Sequence, residues 1–580
     1  MRHRLALLPV RCLAPLHCPQ LLGRWYSITA IPTASPRQQD WRQAVADFQR
    51  KAGDAHASLL PEDVESVVQL CASNDRVREA LDVVRRSEKR GVMAPLESHV
   101  QICCALARKG NADRALAMVP ELHARFGEQL QAEAVTQQVV YGPLLSVFKS
   151  QGDWRSTHAA IAQMHELGLP PPLRAFRVLM VAAAKARRKD TLLATVAFVE
   201  KQFPESQSDV RTLTAISQAL VDIGEPQRVL ELYRKLGGDW LHEHGNTILF
   251  NQFLLAAIRS EGGVGSSKSQ KTKHKKKPSR KESASDMQLA MDIFDQMCDS
   301  RSAAPDGFTF AICMVELEKR GQWGQVLDLY NTMQNVQTRN DSTLSETVGK
   351  PVINALSCSA VIRALHNLQG ANQQQQQDHH TQQPGVDEAS VPLSAASSKA
   401  RKSAERGLTQ DLDVVLKQLP MVELRNVGHA STLIDTLDEF RLFTAARQVF
   451  MRMLDEGVIG QTPWRQKDGF EIDLHTFSRG VAKCAVVSAF DEITRMQKGS
   501  SDASLVGNAP LQDLRIITGV GKRSQTYLKP VLKQEITELL TMSSRPPLWP
   551  SAHPTNPGVL LVRHNALRKW LQKGGTIRYF

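Results

Sequence analysis

Arg447-Gln448-Val449-Phe450-Met451-Arg452-Met453-Leu454-Asp455-Glu456-Gly457-Val458 is the stretch that decides the fold. Counting from Thr444, its apolar positions Ala446, Val449, Phe450 and Met453 recur at three- and four-residue steps, the spacing of a helix with one face toward a core. Gly457 then breaks the pattern. Similar segments lie upstream: Arg78–Val84, Asp113–Val119 and Leu289–Met297 carry the same Ala-centred apolar stripe. Each follows a more apolar helix-like run and a short Gly or Asp turn, as in Val139–Gly152 before Trp154–Gly168 and Phe308–Gly321 before Trp323–Val336. The chain is therefore expected to repeat a helix–turn–helix unit from residue 63 to about 460.

Spacing fixes the repeat class. Tyr141 to Phe176 is 35 residues, and Phe176 to Leu213 and Leu213 to Phe250 are 37 each. Phe250 to Phe310 is 60, which returns to 35 once a 25-residue insertion around a Lys-rich tract is set aside. A tetratricopeptide array would step by about 34 with its own Trp/Gly/Tyr/Pro pattern, which is not evident. The period and the helix endings of the type x-Ala-x-x-x-Phe-x-x-Met resemble the pentatricopeptide repeat (PPR), in about nine units, several degenerate. Residues 262–285, rich in Gly, Ser and Lys, and 370–407, rich in Gln, His and Ser, lack apolar periodicity and are expected to be disordered inserts. The Lys tract reads either as an RNA-contacting arm or as a solvated loop, and the Gln tract as low-complexity expansion.

A chain of 580 residues exceeds a single hydrophobic core. No run approaches the roughly 18 apolar residues that span a bilayer, so no membrane span is expected. Nine cysteines lie scattered without zinc spacing, so reduced thiols and no structural metal are expected, with Cys103-Cys104 as helix filling. The net charge of +13 is uneven: +5 in residues 1–39, +8 in 262–281 and +7 in 471–580, leaving −7 for the remainder. The helical middle is acidic, and the C-terminal part and one insert supply the field that nucleic acid favours. Arg2, Arg4, Arg11 and Arg24, with no acid before Asp40, read as a presequence, and Arg24-Trp25-Tyr26-Ser27 resembles a mitochondrial processing pattern. The mitochondrion is expected, with the plastid as alternative and a plain basic tail as the bland reading. Residues 40–62 read as a linker.

The chemistry lies near the C-terminus. Glu471–His475 alternates polar and apolar residues, so Asp473 and His475 are expected on one face of a strand. A carboxylate beside an imidazole suits proton transfer at a phosphodiester, although a strand-end Asp with a satisfied His is the bland alternative. Leu514–Ile517 reads as a buried strand, followed by Thr518-Gly519-Val520-Gly521-Lys522-Arg523-Ser524 and a helix over Leu528–Leu540. Strand, glycine turn and helix start offer backbone N–H groups and charge to a phosphate. The Gly-x-x-x-x-Gly-Lys-Ser/Thr nucleotide loop is not present there. Asn556-Pro557-Gly558 comes next. In this order the motifs resemble the Smr (small MutS-related) domain, over residues 471–580. The resemblance implies a small α/β domain, spanning 461–580, that binds nucleic acid and in some members nicks it. It implies a catalytic pair Asp473 and His475, and binding through Thr518, Gly519, Gly521, Lys522 and Ser524, to which Arg523 adds charge. Thr476 stands where members usually carry Gly after the His, which narrows substrate approach. No metal ligand set is expected, though Asp473 can recruit a weakly held Mg²⁺.

The PPR resemblance implies reading of single-stranded RNA, about one base per repeat. The position after the first-helix Tyr or Phe is Gly142, Arg177, Thr214, Asn251, Ala311, Ser359 and Ser431. Asn251 with Asp306 resembles a uracil-type pair, whereas Gly142, Arg177 and Ala311 fit no usual code. The whole reads as an α-helical repeat solenoid followed by a small α/β domain, an organellar RNA-binding factor in RNA processing or expression with Smr-type endonuclease activity. The alternative is a non-catalytic scaffold or translation-associated factor that holds rRNA, the ribosome or RNA-processing proteins. DNA nicking is a third reading.

Overall fold

The computed structural model describes residues 41–54, 56–127, 129–130, 136–261, 287–340, 353–381, 410–459, 471–499, 512–519 and 531–578. The chain divides into two compact units, Met1–Ser269 and Gln270–Phe580. The presequence region and the Lys-rich insert lie outside the described residues.

The N-terminal unit is built of helical hairpins. Its first helices, Pro61–Ser73, Leu96–Arg108, Gly142–Gln151, Leu173–Lys185, Val210–Ile223 and Thr247–Glu261, pack each against the next. One hairpin shows why the chain folds so. Asp209 caps Val210–Ile223 by accepting the N–H groups of Arg211 and Thr212. Gly224 ends that helix at φ +83°, a backbone region that L side chains avoid. Pro226 opens Pro226–Leu236, where its missing N–H costs nothing.

Neighbouring hairpins are stitched at their helix C-termini. Arg108 donates to Ala72 O at 2.6 Å, Lys185 to Lys149 O at 2.9 Å and Arg259 to Val221 O at 2.8 Å. Each cation adds a second donor to a carbonyl in the last turn of the preceding first helix, which already accepts one backbone N–H, and meets that helix's negative dipole end. Cys103 and Cys104 are buried in Leu96–Arg108, and desolvation pushes their thiols up to about 12 and about 11. That is the behaviour of small apolar filling. The segment read as a linker contains the helix Trp41–Gly53, whose Phe48 is buried, because its apolar face packs on the next two helices.

The C-terminal unit continues the same plan with Gly307–Lys319 and Trp323–Asn340, Ala355–Thr381, and the hairpin Val427–Glu439 and Phe443–Asp455. Ala355–Thr381 runs on through Gln373–Gln377, so the first turns of the segment expected as a loop are helical; Gln is a good helix former. The array then passes into a mixed sheet of order β1-β2-β5-β4. Its strands are β1 (Glu471–Asp473), β2 (Leu514–Ile517), β4 (Ser551–Ala552) and β5 (Val559–Val562). β3 (Ser544–Arg545) and β6 (Thr576–Ile577) form a separate pair. β1 and β2 are parallel and joined through the helix Arg479–Gly499, whereas β5 is antiparallel to both β2 and β4. Ile472, Leu514, Ile516 and Leu560 are buried, while Glu471, Asp473 and Arg515 are not. The helix expected over Leu528–Leu540 is described as Val531–Glu538 running into a wider turn, Leu539–Ser543.

Candidate functional site at the end of the sheet

Strand direction brings the motifs together. β1 and β2 are parallel, so their C-terminal ends share one edge of the sheet, and antiparallel β5 begins at that edge. Asp473 ends β1, Thr518 and Gly519 follow β2, and Asn556-Pro557-Gly558 leads into β5.

Asp473 and His475 do meet, but not on a strand face. β1 stops at Asp473, and His475 lies in the turn beyond it. Leu474 N–H still donates to Ile517 O at 2.8 Å, and the chain then turns away. Proximity comes from an Asx-type turn, in which Asp473 Oδ1 accepts the His475 backbone N–H at 3.2 Å and sits 2.5 Å from Nδ1. An ionised carboxylate only accepts, so Nδ1 carries the proton and the neutral ring keeps its lone pair on Nε2. The imidazole is 53% exposed, open to a ligand.

The Thr518 backbone N–H and hydroxyl donate to Gly558 O at 2.8 and 3.1 Å, and Gly519 N–H donates to the same oxygen at 3.1 Å. These donors are spent within the protein; their part is to close the β2 loop on the β5 entry, and they are not free for a phosphate. Gly519 takes φ +76°, and a Cβ there would stand 3.6 Å from the His475 Cβ, so this backbone lies against the imidazole turn. Asn556 Oδ1 accepts Gly558 N–H at 3.0 Å, and Lys533 Nζ donates to Pro557 O at 2.9 Å. Gly521, Lys522, Arg523 and Ser524 lie outside the described residues.

The two array positions belong to different units. Asn251 is buried in Thr247–Glu261 of the N-terminal unit. Asp306 caps Gly307–Lys319 in the C-terminal unit, its carboxylate accepting both the N–H and the hydroxyl of Thr309 at 2.8 Å. Arg177 pairs with the helix cap Asp209 at 2.8 Å. Among the described residues no cluster of three or more His, Cys, Asp or Glu is poised for a metal ion.

Sequence reasoning missed the groups that hold the site against the array. Asp435 accepts Ser478 Oγ at 2.9 Å and Gly480 N–H at 2.7 Å, just beyond the His475 turn. Burial raises its carboxyl above the usual range, although these two donors work against that. Lys483 bridges Asp438 at 2.9 Å and Glu535 at 3.0 Å. Lys483 and its array partner Asp438 are 45 residues apart, and no local pattern announces such a contact.

No family model and no curated protein matches this chain. Among solved structures it is similar to the pentatricopeptide repeat protein PPR10 from maize, at 12% identity and a TM-score of 0.30, over 79% of this chain and 66% of that one. It is likewise similar to PPR10 in complex with an 18-nt psaJ RNA element, at 13% identity and a TM-score of 0.31, over 78% and 63% of the two chains. The chain thus spans just under two-thirds of the length of these solved chains.

Proposed function

We propose that this chain is an organellar RNA-binding protein of the pentatricopeptide-repeat type, acting in RNA processing or expression, whose C-terminal Smr-type domain contacts and cuts a phosphodiester. The observation that carries the reading is the meeting of Asp473-His475, Thr518-Gly519 and Asn556-Pro557-Gly558 at one sheet end. Asp473 fixes the His475 tautomer, so Nε2 can take a proton from an attacking hydroxyl. Lys522 and Arg523 supply the charge that holds the backbone phosphates.

In-organelle crosslinking of the protein to RNA, followed by sequencing, identifies the bound transcript. With purified full-length protein, His475→Ala is expected to abolish cleavage of single-stranded RNA while changing affinity by less than about twofold. The Lys522→Ala/Arg523→Ala pair is expected to weaken binding and flatten its salt dependence by about two units of log–log slope. Wild-type protein that cuts neither RNA nor DNA, with or without Mg²⁺, returns the reading to a non-catalytic scaffold. Burial of Asn251 and the pairing of Arg177 with Asp209 favour that second reading for the array, because neither side chain is presented to a base. Import is tested by a fluorescent fusion of residues 1–60, expected in mitochondria; a cytosolic signal overturns it.

A further inference from the structure

One row of residues crosses the whole sheet at its functional end. Asp473 on β1 is paired with Ile517 on β2, and Ile517 with Val559 on β5. His553, the residue after β4, donates its N–H to Val559 O at 3.2 Å. Residues aligned across strands share a face; Asp473 and Ile517 in this row are half-buried and Val559 is buried, and the row alternates with Ile472, Ile516 and Leu560, which are buried on the other face. His553 therefore stands on the same side as Asp473, three strands away, at about 14 Å by ordinary strand spacing.

Hydrogen bonding gives the two imidazoles opposite tautomers. Thr555 N–H, which can only donate, lies 3.3 Å from His553 Nδ1. That nitrogen accepts the N–H, the Thr555 hydroxyl, also 3.3 Å away, can donate to it as well, and the neutral ring then carries its proton on Nε2. His475 is the reverse, with Nδ1–H held by Asp473 and a lone pair on Nε2. One end of the sheet edge thus offers a base and the other a neutral hydrogen-bond donor. The His475 turn leans on Gly519 beyond β2, two strands or roughly 10 Å from β4, a spacing that suits two positions along one strand of nucleic acid.

We propose that His553 is a second nucleic-acid contact of this site, donating Nε2–H to a phosphodiester oxygen, so that a bound single strand crosses the sheet end from β1 to β4. This rests on the nucleic-acid reading of the His475 site and gives the bound strand a direction across it. The test measures binding of a labelled single-stranded RNA by the full-length protein over a salt series. His553→Ala is expected to weaken binding by about tenfold, the worth of one hydrogen bond to a charged group. Its salt slope should match that of the wild type, since an uncharged donor releases no counterion. His553→Gln, whose amide N–H can still donate, should bind within about twofold of the wild type. The Lys522→Ala/Arg523→Ala pair controls for the underlying reading. If that pair weakens binding while His553→Ala does not, the His553 contact is overturned and the site reading stands. If neither weakens binding, the nucleic-acid reading itself falls. If His553→Gln loses as much as His553→Ala, with an unchanged unfolding midpoint, the donor assignment is wrong.

Discussion

Gly480 shows how closely the C-terminal domain approaches the array. A Cβ at this residue would lie 2.9 Å from Asp435 Oδ1 and 3.0 Å from Ile434 O, and these neighbours include backbone that cannot swing aside. Gly480→Ala is expected to destabilise the C-terminal unit by about 1–3 kcal/mol, read as a fall in the chemical-denaturation midpoint. Asp513 gives a second residue-scale test. It takes the His564 backbone N–H at 2.7 Å, then the His564 ring at 3.0 Å and Arg563 at 2.9 Å, which hold its carboxyl down at about 2. A depressed carboxylate contributes stability above its ordinary pKa and loses it as pH falls through the folded value. The difference in unfolding midpoint between wild type and Asp513→Asn should therefore hold above about pH 4 and vanish toward about pH 2. Neither role was legible in the sequence, because a glycine at a close approach and a carboxylate capping a distant helix look like any others. The positions of Asp473, Gly519 and Asn556 beside strand ends were legible, because alternation and glycine mark those ends, whereas His475 was expected on the strand face and lies in the turn beyond it.

At the scale of elements, hairpins were read correctly where caps and apolar periodicity agree. Phe308–Gly321 with Trp323–Val336 is one such hairpin, and the structure forms it as Gly307–Lys319 and Trp323–Asn340 with Gly321 at φ +70° between them. The end of β1 was misread because alternation continues through His475 although pairing to β2 ends at Asp473. Alternation reports which way side chains point, whereas the ladder ends where the partner strand does. The helix Trp41–Gly53 was missed because its polar face dominates a short segment with only Phe48 fully buried. Asp209 also ties two hairpins through Arg177, so Asp209→Ala should cost about 1–2 kcal/mol, seen as a lower thermal midpoint of the full chain.

Across the C-terminal unit, one helix belongs to two structures at once. Arg479–Gly499 packs on Val427–Glu439 as each first helix packs on the one before, and it also connects β1 to β2. Its ties to the array include the Arg447–Asp491 ion pair and the Lys483 bridge. Lys483→Ala removes the ammonium that Asp438, whose side chain is 5% exposed, meets at 2.9 Å, at an expected cost of about 1–3 kcal/mol. The chain 410–580 should then unfold in one calorimetric transition, and 471–580 alone should melt at a lower temperature, because it bares the face that meets Val427–Glu439. Two separate transitions in 410–580 would show the helix to be no shared part. This junction was invisible in the sequence, where the end of the repeat pattern near residue 460 reads as a domain boundary.

The helix that belongs to both structures makes the array a ruler. Inserting one further hairpin ahead of Val427 would carry the His475 turn forward by one repeat without altering a contact at the junction. The distance from any upstream hairpin of this unit to the imidazole is therefore counted in whole repeats and cannot drift as it would across a flexible tether.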